Sequence, residues 1–576
     1  MGAKPLRNYI SQITFYIGLF VLTFIFNNIL LTSILFILKV SVQASTFYAS
    51  LLVSILSLYI LMRKKGMSDL KRKYFIVLFV SLISIMGSML IQGKVYDRTF
   101  DGNTYQKGTI GELKEGWNPV YTNVNDFDDS LNFLDYIWID SYAKGSHFFG
   151  ANVYKVSHNI ECAKSINLLS IIILFFLILS FLLEQGINVY LALLFSLASI
   201  SFSVVTNQLF TNYIDILVYL YFAILIYCFF LFESKTTFIS LFEKFIVYSI
   251  TLALIINVKF SAFGFAGIYC FGYFIYYIAR FLNKKIDKKF LITFVSVSAI
   301  SVLYAVFVIG LSTYPKNILK HGHPFYPIMG KDKIDIMTTN SPSSFQGKSA
   351  VEKFIISNFS RADNIYSSVE RSPELKIPFT FQKKELYSLI HADTRISGGG
   401  ILFGGILLIS TIVYVVSASK LWKINKKAFF LIYIFAFITV LFAVLLDESW
   451  WVRYFPQEYV YVLLSFVTLY CSHPSRVGKY IGIVLISLLL INNSVNLGIS
   501  TVYSIQKNKE MIASSEKLKY SCSSCPRKIC INPASFVGVV YNIKDENKDI
   551  IIFKEKPYLN KYKNKYLGYI EWRCCR

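Results

Sequence analysis

The sequence predicts an all-α polytopic membrane protein, and three observations predict it. Of the 576 residues, 55% are apolar, 17% aromatic and only 16% charged, far from a soluble globular profile. Apolar runs of about 20 residues, each long enough to cross a ~30 Å hydrocarbon core as a helix, recur between short polar breaks. Short loops rich in Lys and Arg alternate with loops that are nearly free of them, the signature of a chain threaded back and forth through a bilayer. A transmembrane barrel is excluded. The formal net charge of +24 accompanies heavy use of Lys, Ile, Asn, Phe and Tyr and scarce Ala, a usage that an AT-rich coding sequence produces, so no nucleic-acid partner is expected.

The first apolar stretch, 13–38, follows the basic Met1–Asn8 segment and ends without a small-x-small cleavage site, so it reads as a retained helix and not a signal peptide. Further spans follow at 46–62, 74–92, 165–183, 188–206, 213–232, 245–260, 262–279, 290–313, 399–417, 428–446, 454–471 and 480–498, about thirteen in all. The loop 63–73 carries Arg63, Lys64, Lys65, Lys71, Arg72 and Lys73, and the loop 280–289 carries Arg280, Lys284, Lys285, Lys288 and Lys289. Lys420, Lys423, Lys426 and Lys427 fall on the same side, whereas loops 206–212 and 447–453 hold at most one basic residue each. This places the N-terminus in the cytoplasm. The long loops 93–164 and 314–398 and the tail are then extracytoplasmic. Residues 1–498 form the membrane domain, and 499–576 a small outer domain.

Charges at the ends of the outer helix segments gather with these loops: Asp215, Lys259, Asp447, Glu448 and Arg453. A charge near the bilayer centre costs roughly 2.5–3.5 kcal/mol on insertion scales, so such residues face a wet cavity, a partner or the interface. Interfacial anchoring is the plain reading for Lys259 and for Arg453, which stands between Trp451 and Tyr454. Asp101 before Gly102 is, by itself, a turn-forming pair.

Several short motifs on that face bear a likeness to a family. Phe100-Asp101-Gly102-Asn103-Thr104-Tyr105, leading to Gly116-Trp117-Asn118-Pro119-Val120-Tyr121, resembles the first outer loop of bacterial integral-membrane glycosyltransferases of the GT-C type. Trp138-Ile139-Asp140-Ser141-Tyr142, Asn159-Ile160-Glu161-Cys162, His323-Pro324-Phe325-Tyr326-Pro327, Asp393-Thr394-Arg395-Ile396-Ser397 and Trp450-Trp451-Val452-Arg453-Tyr454-Phe455-Pro456 extend the similarity over roughly 90–460. One departure stands out: several relatives have a Tyr-His pair where this chain has Tyr105-Gln106, so a role that needs that histidine is not carried over.

The resemblance implies a GT-C-like bundle that takes a sugar from a polyprenyl-phosphate carrier and passes it to an envelope glycan, lipid or protein acceptor on the non-cytoplasmic face of the plasma (inner) membrane. An inverting transfer to a hydroxyl needs one base within about 2.6–3.2 Å, worth ~10²–10⁴ in rate, and Asp101 is the candidate. The leaving phosphate gains charge, and a planar guanidinium grips its oxygens in a bidentate way. Arg453 is the first choice for that grip, Arg395 the second and Lys259 the third, with Tyr105 beside the donor. Asp215 is the second acidic position, with three roles open: orienting the acceptor, pairing a cation, or ligating a divalent metal. No other cofactor is expected. A polysaccharide polymerase or ligase is the rival enzyme. A lipid-linked-sugar flippase or transporter is the rival of another class, disfavoured because no internal repeat is visible.

Other features carry less. Asp126-Phe127-Asp128 has metal-binding Asp-x-Asp spacing but no Rossmann-like βαβ region, His321-Gly322-His323 lacks a third ligand, and Gly398–Gly405 opens a helix without the lysine of a P-loop. Of nine cysteines, Cys228, Cys270 and Cys471 lie in or beside membrane helices. Cys522, Cys525, Cys530, Cys574 and Cys575 fall in the tail, where an oxidising compartment favours a disulfide among the first three and a zinc site on Cys522 and Cys525 is the alternative. Ser535–Tyr541 and Asp549–Phe553 read as strands.

Overall fold

A computed structural model describes residues 3–65, 69–128, 131, 133–473, 475–522, 528–532, 536–547, 551–554, 564–566 and 570–574. The chain is an all-α polytopic protein, and ten of its described helices are long and apolar enough to cross a membrane. Ten of the thirteen expected spans fall on these helices, and the other three fall on helices too short to count as spans: Val189–Ser199 has 11 residues, and Leu241–Ile256 and Gln457–Ser472 have 16 each. The expected span 188–206 divides at Ile200–Phe202, and its remainder is a separate short helix, Ser203–Gln208, whose Asn207 and Gln208 are buried. At the other extreme, Arg476–Cys522 runs unbroken for 47 residues, well beyond the span expected at 480–498.

The helix Asp215–Glu233 is the axis of the bundle, buried along nearly its whole length. It is apolar on nearly every side, and neighbouring helices cover it on all of them. Phe222 meets Tyr269 at 4.9 Å edge-on, and Phe229 stacks on Tyr273 at 3.8 Å. Peripheral helices such as Leu70–Gly93 keep Phe75, Phe79, Ile83, Met86 and Leu90 exposed toward the space that lipid would fill.

The region 93–164 is a helical subdomain more than a loop. It folds as Lys107–Glu115, Val124–Phe127, Phe133–Ser141, Gly145–Ser157 and Ile160–Lys164. Trp117-Asn118-Pro119 locks it to neighbours: the Asn118 amide donates to the Phe36 carbonyl at 3.0 Å, and Lys316 donates to the Pro119 carbonyl at 2.9 Å and to Asp140 Oδ1 at 2.9 Å. Burial beside Lys316 and Lys320 pushes the Lys144 ammonium down to about 7, while it donates to the Asp140 and Tyr142 carbonyls.

The tail corrects one expectation. Of the strand expected at 535–541, Ser535 lies outside the described residues, and Val537–Tyr541 belongs to a helix, Val537–Glu546. Its β-branched residues favour extension locally, but packing decides otherwise: Val537, Val539, Val540 and Tyr541 are all fully buried. The expected strand at Asp549–Phe553 is present as β2 (Ile551–Lys554), one of four short strands with β1 (Lys528–Asn532), β3 (Asn564–Tyr566) and β4 (Ile570–Cys574), in the order β2-β1-β4-β3. Cys530 is disulfide-bonded. Cys525 and Cys575 lie outside the described residues, as do the side chains of Cys522 and Cys574.

The tail helix wedges against the helical subdomain. A Cβ on Gly538 would come within 2.8 Å of the Asn103 carbonyl oxygen and 2.5 Å of Lys107 Cβ, so only glycine permits this approach. Tyr541 donates to Glu112 at 2.6 Å, and Asn542 joins a buried network in which Lys107 donates to Glu161 Oε1 at 2.8 Å and to Asn542 Oδ1 at 2.6 Å. Lys164 closes the network on Glu161 Oε2.

Candidate active site

The site begins at Asp97, whose carboxylate is fully buried. Asp97 Oδ1 accepts from the Thr99 backbone N–H at 2.9 Å and its hydroxyl at 2.6 Å, while Oδ2 accepts from the Asn212 backbone at 2.6 Å and its side-chain amide at 2.9 Å. One carboxylate thus ties the start of the subdomain to the turn before Asp215. A Cβ on Gly102 would lie 2.1 Å from Asp97 Oδ2, which explains the glycine better than a turn does. From Gly102 to Gln106 the chain makes a π-helical turn with Thr104 at φ −89°, ψ −107°. Wide turns of this kind concentrate at functional sites. This one aims Asp101 inward.

Four further segments converge there. Asp215 is the first residue of the axial helix, where the positive end of the helix dipole favours a carboxylate. Lys259 sits in extended backbone just before Phe260–Leu282. Arg453 lies in the tight turn Val452–Tyr454, and Asp393 and Arg395 close the second long loop.

Arg453 is the hub. Its Nη2 donates to Asp101 Oδ2 at 3.0 Å, its Nε lies 3.0 Å from Asp215 Oδ2, and its Nη1 is 3.5 Å from Asp393 Oδ2. Lys259 donates to Asp215 Oδ1 at 2.5 Å, and Gln208 Nε2 to Oδ2 at 3.4 Å. Tyr105 donates to Asp101 Oδ2 at 3.3 Å. Aromatic faces line the cations: Tyr213, Trp451 and Tyr454 lie 4.6, 5.2 and 5.3 Å from the Arg453 guanidinium, and Lys259 stands 4.2 Å over Tyr454. Such contacts strengthen when water is excluded.

The six candidate site residues, Asp101, Asp215, Tyr105, Lys259, Arg395 and Arg453, therefore meet in one cluster, though not on equal terms, whereas Asp447 pairs with Lys353 at 2.6 Å. The Asp101 and Asp393 side chains keep 21% and 19% of their surface exposed, whereas Asp215 keeps 1%. Asp215 is positioned to hold two cations, not to touch a ligand. Arg395 is buried between Tyr366 at 3.5 Å and Trp451 at 4.7 Å, and donates to the Asn340 carbonyl at 3.1 Å and side chain at 2.5 Å. It braces the second loop.

Burial pushes the Asp101 carboxyl above its ordinary range, Arg453 pulls it back, and Asp393 and Asp215 push it up again. Burial works against the Arg453 charge, but Asp215, Tyr454, Tyr213 and Asp101 together hold it firmly protonated. Behind Tyr105, Gln106 bonds His147, which burial drives down to about 3 and so keeps neutral. His147 thus packs behind the π-turn.

The minor motifs settle into structural roles. Asp126 accepts from the Asn123 amide at 2.9 Å. His321 stacks on Tyr326 at 3.7 Å, and His323 Nδ1 accepts from the Phe325 backbone at 3.1 Å. Among the described residues, no group of three or more His, Cys, Asp and Glu is placed to hold a metal. Two members of the site were not singled out beforehand. Asp393 stood in a quoted motif but drew no attention, since a loop carboxylate carries no membrane penalty to flag it, and Asp97 carried no signal at all. No family model, curated protein or solved structure matches the chain.

Proposed function

We propose that the chain is a membrane glycosyltransferase of the GT-C type, inverting, which moves a sugar from a polyprenyl-phosphate carrier to a hydroxyl of an envelope acceptor on the non-cytoplasmic face. The observation that carries this reading is the single guanidinium of Arg453 shared among Asp101, Asp215 and Asp393, with Asp101 and Asp393 each about one-fifth exposed. A base and an anion-binding cation side by side are what a sugar phosphate and an attacking hydroxyl require.

The two halves act in sequence. Without substrate, the carboxylates of Asp101, Asp215 and Asp393 balance Arg453, Lys259 and Arg395. When the donor phosphate arrives, it competes for the Nη atoms of Arg453, and Asp101 loses the partner that held its carboxyl down. Burial then makes Asp101 a stronger base at the moment a proton must be taken. Asp101 Oδ1 accepts the acceptor's proton, the hydroxyl oxygen bonds to the anomeric carbon, and the carbon–oxygen bond to phosphate breaks with its electron pair leaving on the phosphate. Arg453 meets that charge, and Asp215 with Lys259 keeps Arg453 in place. A divalent metal is not required by this scheme, and Asp393 with Asp101 are the carboxylates that one would reach.

The test is transfer by purified protein from a polyprenyl-phosphate-linked sugar to membrane acceptors, read as sugar released from the lipid. Turnover supports the reading. No transfer from any mono- or diphosphate-linked polyprenyl sugar, with the donor shown to bind, rejects it.

A further inference from the structure

Asp215 and Glu233 are the first and last residues of one 19-residue helix, so they lie about 27 Å apart at 1.5 Å per residue. Around Glu233, at the end of the bundle away from Arg453, six helix ends enclose a cavity of about 590 Å³. That volume is in the range of ordinary ligand pockets. Leu191, Phe195, Leu431, Phe466 and Ile486 form an apolar shaft, and Gly478 to Ile486 on one wall gives it a depth of about 12 Å. The rim is cationic. Lys235, Lys427 and Lys479 surround it, against the single carboxylate of Glu233.

That carboxylate is already satisfied, since Arg280 pairs with Glu233 and Lys427 lies 2.9 Å from it. Lys235 and Lys479 are exposed and make no ion pair among the described residues. A shaft this apolar selects against sugars and nucleotides, whose hydroxyls would be left unpaired. Two unneutralised ammonium groups at its mouth select against neutral lipids. Basic pockets between membrane helices take anionic headgroups in this way.

We propose that this cavity is a binding site for an anionic membrane phospholipid, with one acyl chain in the shaft and the phosphate on Lys235 and Lys479. Free phosphate would gain the lysines but not the shaft. The site is independent of the chemistry at Arg453, and its occupancy is expected whatever that chemistry is.

Gly482 makes a selective test possible. It lines the shaft, and a Cβ there would meet only Leu469 Cδ2, at an unstrained 3.8 Å. Full-length protein would be incubated with equal amounts of phosphatidylglycerol and phosphatidylcholine and the retained lipid measured by native mass spectrometry. The wild type should retain phosphatidylglycerol about tenfold over phosphatidylcholine, Lys235→Gln with Lys479→Gln should abolish the preference, and Gly482→Leu should reduce retention of both lipids. Thermal unfolding of each variant shows that the bundle is intact, and the two kinds of variant fail independently. Equal retention by the wild type, a preference that survives loss of both lysines, or displacement of phosphatidylglycerol by millimolar inorganic phosphate overturns the proposal.

Discussion

Asp101 and Arg453 stand 352 positions apart in the chain and meet at 3.0 Å. Arg453 also lies within ion-pair distance of two further carboxylates, Asp215 at 3.0 Å and Asp393 at 3.5 Å, so one guanidinium serves three acids. A lysine in its place keeps the charge but has one nitrogen for three acids. Arg453→Lys should therefore cut kcat/KM for sugar transfer by roughly 10²–10³-fold, with the protein still folded. Steady-state kinetics and a thermal melt on the same preparation check this, and unchanged kinetics would leave Arg453 a structural partner of the three carboxylates only.

The two aspartates should separate by phenotype. Asp101→Asn keeps a hydrogen bond to Arg453 but cannot take a proton, so turnover should drop by about 10²–10⁴-fold while donor binding stays near normal. Asp215→Asn leaves Arg453 and Lys259 under-compensated in a buried place, a loss of about 3–5 kcal/mol, and should show first as a lowered melting temperature. If Asp101→Asn transfers sugar at the wild-type rate, Asp101 is not the base.

These residues were legible for a physical reason. A polar group at the end of an apolar run is costly and stands out, which is how Asp215, Lys259 and Arg453 drew attention. Asp393 and Asp97 sit in polar surroundings where one more acid says nothing. The thirteen apolar runs were equally plain, but not the brevity of Val189–Ser199, which ends where the chain bends inward to place Asn207 and Gln208. The tail helix was hidden because Val537, Val539 and Val540 favour a strand locally, and the surface that the helix docks on includes residues 381 to 435 positions earlier.

Reporter fusions at Asn123, Ser344 and the C-terminus should all score extracytoplasmic. The two long loops already share one end of the bundle, since Asp101 and Asp393 both face Arg453. The basic loops lie at the other end. A cytoplasmic signal at Asn123 would remove the lipid-linked donor from reach of Asp101.

Tail docking should weaken as pH rises. Burial lifts the Asp545 carboxyl to about 6 and that of Glu546 to about 7, so between the ordinary carboxylate range and pH 7 the docked state holds more protons than the undocked one. Stability then falls with increasing pH across that window. Hydrogen exchange of Val537–Glu546, corrected for intrinsic rates, should be slower at pH 5.5 than at pH 8. Asp545→Asn with Glu546→Gln should flatten the difference, and an opposite slope would contradict the assignment.

Cys530 should be recovered in a disulfide from the native envelope, as the structure has it. Non-reducing peptide mass analysis identifies its partner, and a free thiol at Cys530 would place the tail in a reducing compartment.

The wedge of Val537–Glu546 against the π-turn also sets a schedule. Lys107 and Asn542, 435 positions apart, can meet only once synthesis has passed Asn542. Until then Lys107 and Glu161 lack one member of their network, and Asn103 lacks the glycine that closes over it. A ribosome-bound chain can therefore thread its helices into the bilayer without completing the turn that aims Asp101. The turn that carries Asp101 is thus braced last, by a helix made after every membrane span that it serves.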